Sequence, residues 1–498
     1  MDPSSAGRRG QRREYRRECR GASAILTPVP TPSAAAPGPP YRDASAPAPA
    51  PAPDRRAVQR RTLTTLVGAQ VLGGVGVASG IAVTALLARR VSGSEALAGL
   101  GTTAQVFGGA LLAVPLARRM ARRGRRSGLA LGYVVAAAGA ALVVAAAILS
   151  LFPLLLLGTA LFGGATASNS QSRYAASDLA EPQHIGRDLS LVVWATTVGS
   201  VLGPNLVGPA ETVGSALGLP EMAGSFVFSM AGFALAIAVL QAFLRPDPLL
   251  VARALEAEAA SATPGEASGP TPGAASGATP GTRSDPRQRE AQPGTRMHGS
   301  VWSGLRIIAS HPRALLGLLV LAGGHAVMVG VMVMTPLHMD HAGAGLRLIG
   351  LVISIHILGM YALSPVTGLL TDRFGGRPVA AGGALILLAS CLLASRAHEG
   401  MSTLLAVALF LLGLGWSGTL VSGSTLITRA LPVHDRPATQ GVSDLVMGLA
   451  GGGAGAGAGV VLQLAGYGAL ALVGAAVAVG ILVALVVLRD AGGRSVGG

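Results

Sequence analysis

The sequence predicts an all-α polytopic membrane protein, with twelve transmembrane helices in two pseudo-symmetric six-helix bundles and both termini on the cytoplasmic side. Three observations predict it. Apolar segments of crossing length recur along the chain, a helix needing roughly 20 mostly apolar residues to span ~30 Å of hydrocarbon. A polar insert splits them six and six. The arginines crowd into alternate connections, which is how short cytoplasmic loops are marked.

The segments fall near 63–87, 97–117, 128–149, 152–174, 188–210 and 224–244, then 314–337, 347–370, 378–395, 402–428, 439–462 and 466–488. Half the residues are hydrophobic, 12% are charged and 71 are Gly. Such Gly usage suits helices that pack backbone to backbone inside a bilayer. The domain limits are therefore a tail at 1–61, a bundle at 62–245, a connection at 246–312, a second bundle at 313–489 and a tail at 490–498. Residues 1–61, with an Ala/Pro tract, and 246–300, rich in Pro, Gly, Ser and Thr, have little to bury and are expected to be flexible. The tail lacks the apolar core of a cleavable signal peptide. Its cluster of Arg8, Arg9, Arg12, Arg13, Arg16, Arg17 and Arg20 reads as a solvated tail, with contact to anionic lipid as the alternative.

Charge placement excludes several function classes. All 38 basic residues are arginine, so no GxxxxGK[ST] phosphate loop exists. A net charge of +15 would raise nucleic acid as a partner in a soluble protein. Here all arginines except Arg89, Arg90, Arg347 and Arg396 fall on the side assigned to the cytoplasm, so the charge reports orientation and no nucleic-acid partner is expected. Cys19 and Cys391 are too far apart in the topology to pair. No nucleophile elbow, metal-ligand cluster or cofactor loop is present, and the chain is expected not to be an enzyme and to carry no cofactor or metal.

The halves repeat in parallel. "ARRMARRGRR" (117–126) follows the second segment and "GLLTDRFGGR" (368–377) the eighth. Nearly one offset relates Gly124 to Gly375 and Arg187 of "HIGRDLS" to Arg436 of "HDRPATQG". Two parallel-repeat bundles place a site at their interface near the midplane.

On these residues the chain resembles the major facilitator superfamily. The family's GxLxDRxGRR loop is matched by Gly368, Leu370, Asp372, Arg373, Gly375 and Arg377, with Gly376 in place of one basic residue. The first copy keeps Gly124, Arg125 and Arg126 but has Ala121 where the family has Asp. An Asp in such a loop can sit at a helix N-terminus across the interface, where the dipole favours an anion. Asp372 is thus the candidate gate, with Arg429 a possible partner in its own bundle. Arg373 and Arg377 can pair with loop acids such as Asp188. The plainer reading of the loop is anchoring of topology by arginine.

The fifth segment carries "GSVLGPNLVGP", in which Gly199, Gly203 and Pro204 fit the start of GxxxGPxxG and Gly208 stands one place beyond its last Gly. This pattern is similar to the helix-5 motif of drug–proton antiporters. Gly199 and Gly203 share a face for close packing, and Pro204 removes a helix hydrogen bond. The intramembrane Arg common in helix 4 of those antiporters is missing. The nearest basic group, Arg173 in "NSQSRYAASDLAEP", is expected to pair with Asp178 as an inner-gate ion pair.

Ionisable groups inside a span are functional candidates because their desolvation is costly. No acid lies mid-segment, and Asp444 comes closest. It is a coupling candidate, although capping its helix or pairing with Arg436 is favoured. His325 and His356 lie deep, and because histidine as a residue type titrates near physiological pH they are the other proton-coupling candidates. The run "HAVMVGVMVMTPLHMDH" has the composition of a soft-metal site, but Met328 and Met332, one turn apart, better suit a pliable apolar wall. Gln70, Trp194, Tyr361 and Trp416 complete the candidate substrate cavity, whose aromatic and sparsely polar character suits lipophilic molecules.

The expected function is export of lipophilic or amphiphilic small molecules, drug-like in character, by proton antiport through alternating access. The protein would act in the plasma membrane, as a monomer, with substrate, protons and lipid as partners. The alternatives are an importer or facilitator of a small organic solute and, more remotely, a non-transporting membrane sensor.

Overall fold

The computed structural model describes residues 54–94, 97–262, 301–397 and 402–490, and the expectations for residues 1–53, 263–300 and 491–498, Cys19 and the Arg8–Arg20 cluster among them, lie outside these. The described residues are helices and short connections, without a strand. The first bundle comprises α1 (Arg55–Ser92), α2 (Leu100–Arg123), α3 (Arg125–Leu149), α4 (Phe152–Ala175), α5 (Ile185–Asn205), α6 (Val207–Ala216) and α7 (Ala223–Phe243). Two helices follow, α8 (Pro248–Ala262) and α9 (Val301–Ser310). The second bundle comprises α10 (Pro312–His341), α11 (Leu346–Tyr361), α12 (Ser364–Phe374), α13 (Gly376–Ala394), α14 (Ser402–Ala430) and α15 (Arg436–Asp490).

Ten helices among the described residues are long and apolar enough to cross a membrane. The difference from twelve has two sources. One is α4, whose last third carries Ser168, Asn169, Gln171, Ser172 and Arg173. The other is α15, whose apolar stretch Arg436–Leu488 runs for 53 residues. A straight helix of that length would be ~80 Å long, but Gly466 sits at φ 79°, ψ 173°, outside the helical region. The neighbours of α15 then run backward. Before Gly466, Gly451 packs on His325 and Gly455 on Val329. After it, Tyr467 meets Thr335, Gly474 lies against Val331 and Val327, and Ile481 reaches Gly323. Gly466 therefore reverses the chain, and α15 is a pair of antiparallel limbs against α10.

Each bundle has its own core. Phe162 contacts Phe226 and Phe233 in the first, with ring centroids 5.6 and 5.3 Å apart, and Tyr133 lies 5.9 Å from Phe233. Leu387, Leu409, Leu412 and Trp416 are buried in the second, and Val114 of α2 and Val193 of α5 join that core from the other bundle. In lipid, apolar burial does little to draw helices together, so small residues decide who packs on whom. A Cβ on Gly108 would collide with the backbone of Ala160, and one on Gly163 with Gln105 and Gly109, which is why α2 and α4 lie so close. The two loop glycines are also conformational equivalents, Gly124 at φ 84°, ψ 167° and Gly375 at φ 89°, ψ 160°. Other L residues rarely adopt such a positive φ.

Three stretches differ from the sequence reading. Residues 55–61 are helix instead of tail, because Asp54 caps α1 by accepting the Arg56 N–H at 2.9 Å and Arg55 donates to the carbonyls of Leu179 and Ala180. The proximal part of the expected flexible connection is α8, since Leu249 and Ala252 are buried beside Val58, Leu179 and Val433. Its distal end is α9, where Gly304 and Ile308 are buried and Gly304 packs on Val442. The Pro/Gly/Ser composition hid the few apolar residues that suffice for short helices docked on a large body.

Candidate functional site

The arginine-bearing connections converge at one end of the molecule, here called the arginine-rich face, and there the two bundles are joined by buried charges. Arg125, the first residue of α3 and fully buried, donates from Nε and Nη2 to both oxygens of Asp178 at 2.7 and 3.0 Å. It also donates to Gln440 Oε1 of α15 at 2.6 Å and to Gln171 Oε1 of α4 at 3.4 Å. Gln171 turns its amide the other way and donates to Asp444 Oδ2 at 2.6 Å. Arg173 Nη2 donates to Asp444 Oδ1 at 2.5 Å, and Arg173 Nε to Ser424 Oγ at 3.3 Å. A continuous chain thus runs Asp178–Arg125–Gln171–Asp444–Arg173, crossing from the first bundle to the second at Asp444 and returning at Arg173. It holds two cations and two anions, all nearly inaccessible.

This pairing corrects the expected one. Arg173 does not pair with Asp178, nor Asp444 with Arg436. Helix α4 ends at Ala175, so Asp178 lies in the following turn, and five residues of separation do not share a helix face. Asp178 turns to Arg125, which frees Arg173 for α15. Arg436 donates instead to the Leu431 carbonyl at 3.2 Å. Neither Gln171 nor Gln440 is among the residues the sequence singles out. The signal was the amide pair placed among arginines and aspartates at the ends of apolar segments.

A second junction involves Asp372. Its Oδ1 and Oδ2 accept the backbone N–H groups of Gly186 and Arg187, both at 2.8 Å, at the N-terminus of α5 in the opposite bundle. Arg429 of α14 donates to Asp372 Oδ1 at 2.9 Å and to the Pro182 carbonyl at 2.7 Å. The carboxylate therefore meets a helix dipole and a guanidinium at once. Close approach is possible because Gly368 faces Gly186 and Ser190, so a Cβ there would strike Ser190 and the Gly186 carbonyl. Arg187 itself lies beside Asp188 at 3.4 Å, and Asp188 accepts from Gln59 at 2.7 Å. Neither Arg373 nor Arg377 makes the expected pair with Asp188. Arg373 lies 5.3 Å from the Phe374 ring and Arg377 donates to the Leu485 carbonyl at 3.0 Å.

The first-half loop is supported differently. Asp247, just before α8, accepts the Arg126 N–H at 2.8 Å and sits against Gly124. Arg253 of α8 donates to the carbonyl of Ala121 at 2.7 Å. An acid from the connection thus braces the loop whose own acid is missing. Along the same interface α2 and α15 meet through small residues, Gly441 on Ala117 and Gly448 on Ala110.

Farther along the helices from this face, Trp416 Nε1 donates to His325 Nδ1 at 3.0 Å, and Tyr361 meets the Trp416 ring edge-on at 5.6 Å. Because Nδ1 accepts, Nε2 bears the proton of the neutral imidazole. Gln70 Nε2 donates to Thr196 Oγ1 of α5 at 3.0 Å, and its buried Oε1 finds no partner. Trp194, two residues before Thr196, is 38% exposed. His356 is wholly enclosed, with Nδ1 2.8 Å from the Leu409 carbonyl, and this bond ties α11 to α14. Met328 is buried in the second core and Met332 packs against that core, so the methionine pair serves packing more than an open wall.

In α5, a Cβ on Gly199 would strike the backbone of Gly74 and one on Gly203 would strike Ala78, while Ser79 donates to the Gly203 carbonyl at 3.2 Å. Gly208 has nothing within 4 Å of such a Cβ. The helix carrying Pro204 stops at Asn205, and α6 resumes at Val207. His356→Gln is expected to lower the unfolding temperature in detergent while leaving the pH dependence of transport unchanged, since its bond joins two helices of one bundle.

The model of the Major Facilitator Superfamily matches residues 64–348 and 330–496. The Uncharacterized MFS-type transporter YddS of Bacillus subtilis (strain 168) is 35% identical over 416 residues, 84% of this chain and 88% of that one. The Riboflavin transporter RfnT of Brucella anthropi is 27% identical over 390 residues, 78% and 85% of the two chains. Among solved structures, the human organic anion transporter MFSD10 (TETRAN) superposes with a TM-score of 0.62 at 16% identity, covering 86% of this chain and 99% of that one, a likeness of fold. With two helical bundles, the family's loop matched in the second, a family model over most of its length and relatives along the same stretch, the chain belongs to the major facilitator superfamily and is a multi-pass membrane transporter.

Proposed function

We propose that this transporter exports lipophilic or amphiphilic small organic molecules against inward proton flow, as a monomer in the plasma membrane. In this reading the arginine-rich face is cytoplasmic, both termini lie on that side, and the chain crosses twelve times, counting α4 and the two limbs of α15. The observation that carries the proposal is the buried Arg173–Asp444 pair joining α4 to α15. Opening the arginine-rich face separates these two charges. A proton on Asp444 removes the attraction and lowers the cost of separation, so proton binding and access change are linked. Asp372 on the α5 N-terminus acts as a second latch. Asp444 is preferred to His325 and His356 as the coupling group because it alone of the three bridges the bundles.

Direction rests on α5. Its Gly199 and Gly203 pack directly on α1, as a helix that seals against leak requires. Gly203→Leu is expected to abolish most transport, whereas Gly208→Ala is expected to be silent, each scored at equal membrane abundance. Equal activity of the two variants would remove the support for export. The test of function is transport in everted vesicles under an imposed pH gradient. Substrate accumulation driven by an acidic interior supports the proposal, and accumulation with the opposite gradient overturns it.

A second reading is import of a planar solute. It is favoured by the likeness to a riboflavin transporter and by the Tyr361–Trp416 pair beside His325, which offers an aromatic edge and face to a ring system. Riboflavin uptake by intact cells expressing the chain, abolished by Trp416→Ala, would decide for it.

A further inference from the structure

Helix α12 has two unlike faces. Ser364, Thr367, Gly368 and Thr371 are buried on one face, and of these Ser364 and Gly368 pack directly on Ser190 of α5. Leu363, Val366, Leu370 and Phe374 lie on the other and are 36% to 57% exposed. With Gly382 of α13 and Leu414 of α14, this second face lines an apolar groove of about 390 Å³. The groove is open at its floor, since a Cβ added to Gly382 would meet nothing within 4 Å.

Its length and its end are informative. Leu363 to Phe374 rises about 16 Å along the helix, close to half of the ~30 Å hydrocarbon thickness. Its length therefore matches the depth of one leaflet. At the arginine-rich end Arg373 is exposed, with its guanidinium 5.3 Å from the Phe374 ring, so a cation stands where an apolar channel terminates. An acyl chain with an anionic headgroup has this same order of apolar length and terminal charge.

We propose that the groove is a binding site for one anionic phospholipid of the leaflet at the arginine-rich face, one acyl chain lying along α12 and the phosphate on Arg373. The site is connected to the interface through a single short helix. The lipid supports α12 from behind, while the front of the same helix presses Gly368 on Gly186 and delivers Asp372 to the α5 N-terminus. Occupancy therefore stabilises the state in which the bundles meet at this face, by preferential binding to it.

The test is thermal unfolding of the purified full-length protein in detergent, titrated with dioleoylphosphatidylglycerol or with dioleoylphosphatidylcholine. Phosphatidylglycerol is expected to raise the midpoint by several degrees and phosphatidylcholine by less than half as much. Gly382→Phe, which fills the groove, should lose most of the phosphatidylglycerol shift while keeping a wild-type midpoint without lipid. Arg373→Gln should reduce the phosphatidylglycerol shift to the phosphatidylcholine level. If Gly382→Phe does not fold, Val366→Trp on the groove rim takes its place with the same expectation. Equal shifts from the two lipids in the wild type, or a full shift in the groove-filled variant, would overturn the proposal. So would protection by a lipophilic cation in preference to the lipid, which would make the groove a substrate path, or by dimer formation, which would make it an interface.

Discussion

Asp444→Asn is expected to abolish gradient-driven transport and its pH dependence while substrate binding and downhill exchange survive. Asparagine has nearly the same shape and keeps an acceptor, but it cannot take up and release a proton. The change also leaves Arg173 buried without its counter-ion, and removing one member of a buried pair costs roughly 3–5 kcal/mol. That cost falls on the state with the arginine-rich face closed, so the variant should favour the opposite access. Proteoliposomes with and without a pH gradient separate the two consequences. The double variant Arg173→Gln with Asp444→Asn removes both charges and should recover the unfolding temperature without recovering uphill transport. Normal pumping by Asp444→Asn would remove Asp444 from the coupling step and return attention to His325.

Asp372→Asn should also lose most transport, for a different reason. The wild-type carboxylate meets two backbone N–H groups and Arg429. An amide oxygen can retain one of the helix bonds but not the charge, whose interaction with a helix end is worth up to ~2 kcal/mol in partly buried sites. A loss of one or two kcal/mol changes a two-state ratio roughly 5–30-fold. The expected signature is faster labelling of a cysteine placed at Ser190, behind the latch, by a membrane-impermeant reagent. Ala121→Ser, at the corresponding place in the first bundle, should transport at the wild-type rate, because Ala121 takes part through its carbonyl. Wild-type transport by Asp372→Asn would refute the latch.

Both predictions depend on partners that the sequence exposed to different degrees. Asp372 was legible because its loop is a compact motif and because an acid beside a glycine turn has few places to go except a helix end. Its position relative to Arg429 followed from the same topology. Arg173 was legible as a buried charge but its partner was not. Proximity along the chain suggested Asp178, whereas α4 ends between the two residues and turns their side chains apart. Asp247 and Arg253 were invisible as structural residues because they sit in a segment whose composition resembles a linker. Only the buried cluster of Leu249 and Ala252 with Val58, Leu179 and Val433 makes α8 a helix there.

The sequence by itself determined the all-helical membrane class, the duplicated halves and the glycine loops, because each of these is written in local periodicity, spacing or backbone freedom, and its second-half loop carried the likeness to the family. The tertiary structure alone decided which charges pair across the interface, that Gly199 and Gly203 but not Gly208 touch a neighbouring helix, and that α12 has a groove at its back. Those facts depend on how helices far apart in the chain are rotated about their axes. A rotation of one residue, about 100°, changes every partner while leaving the apolar pattern of a membrane helix almost unaltered.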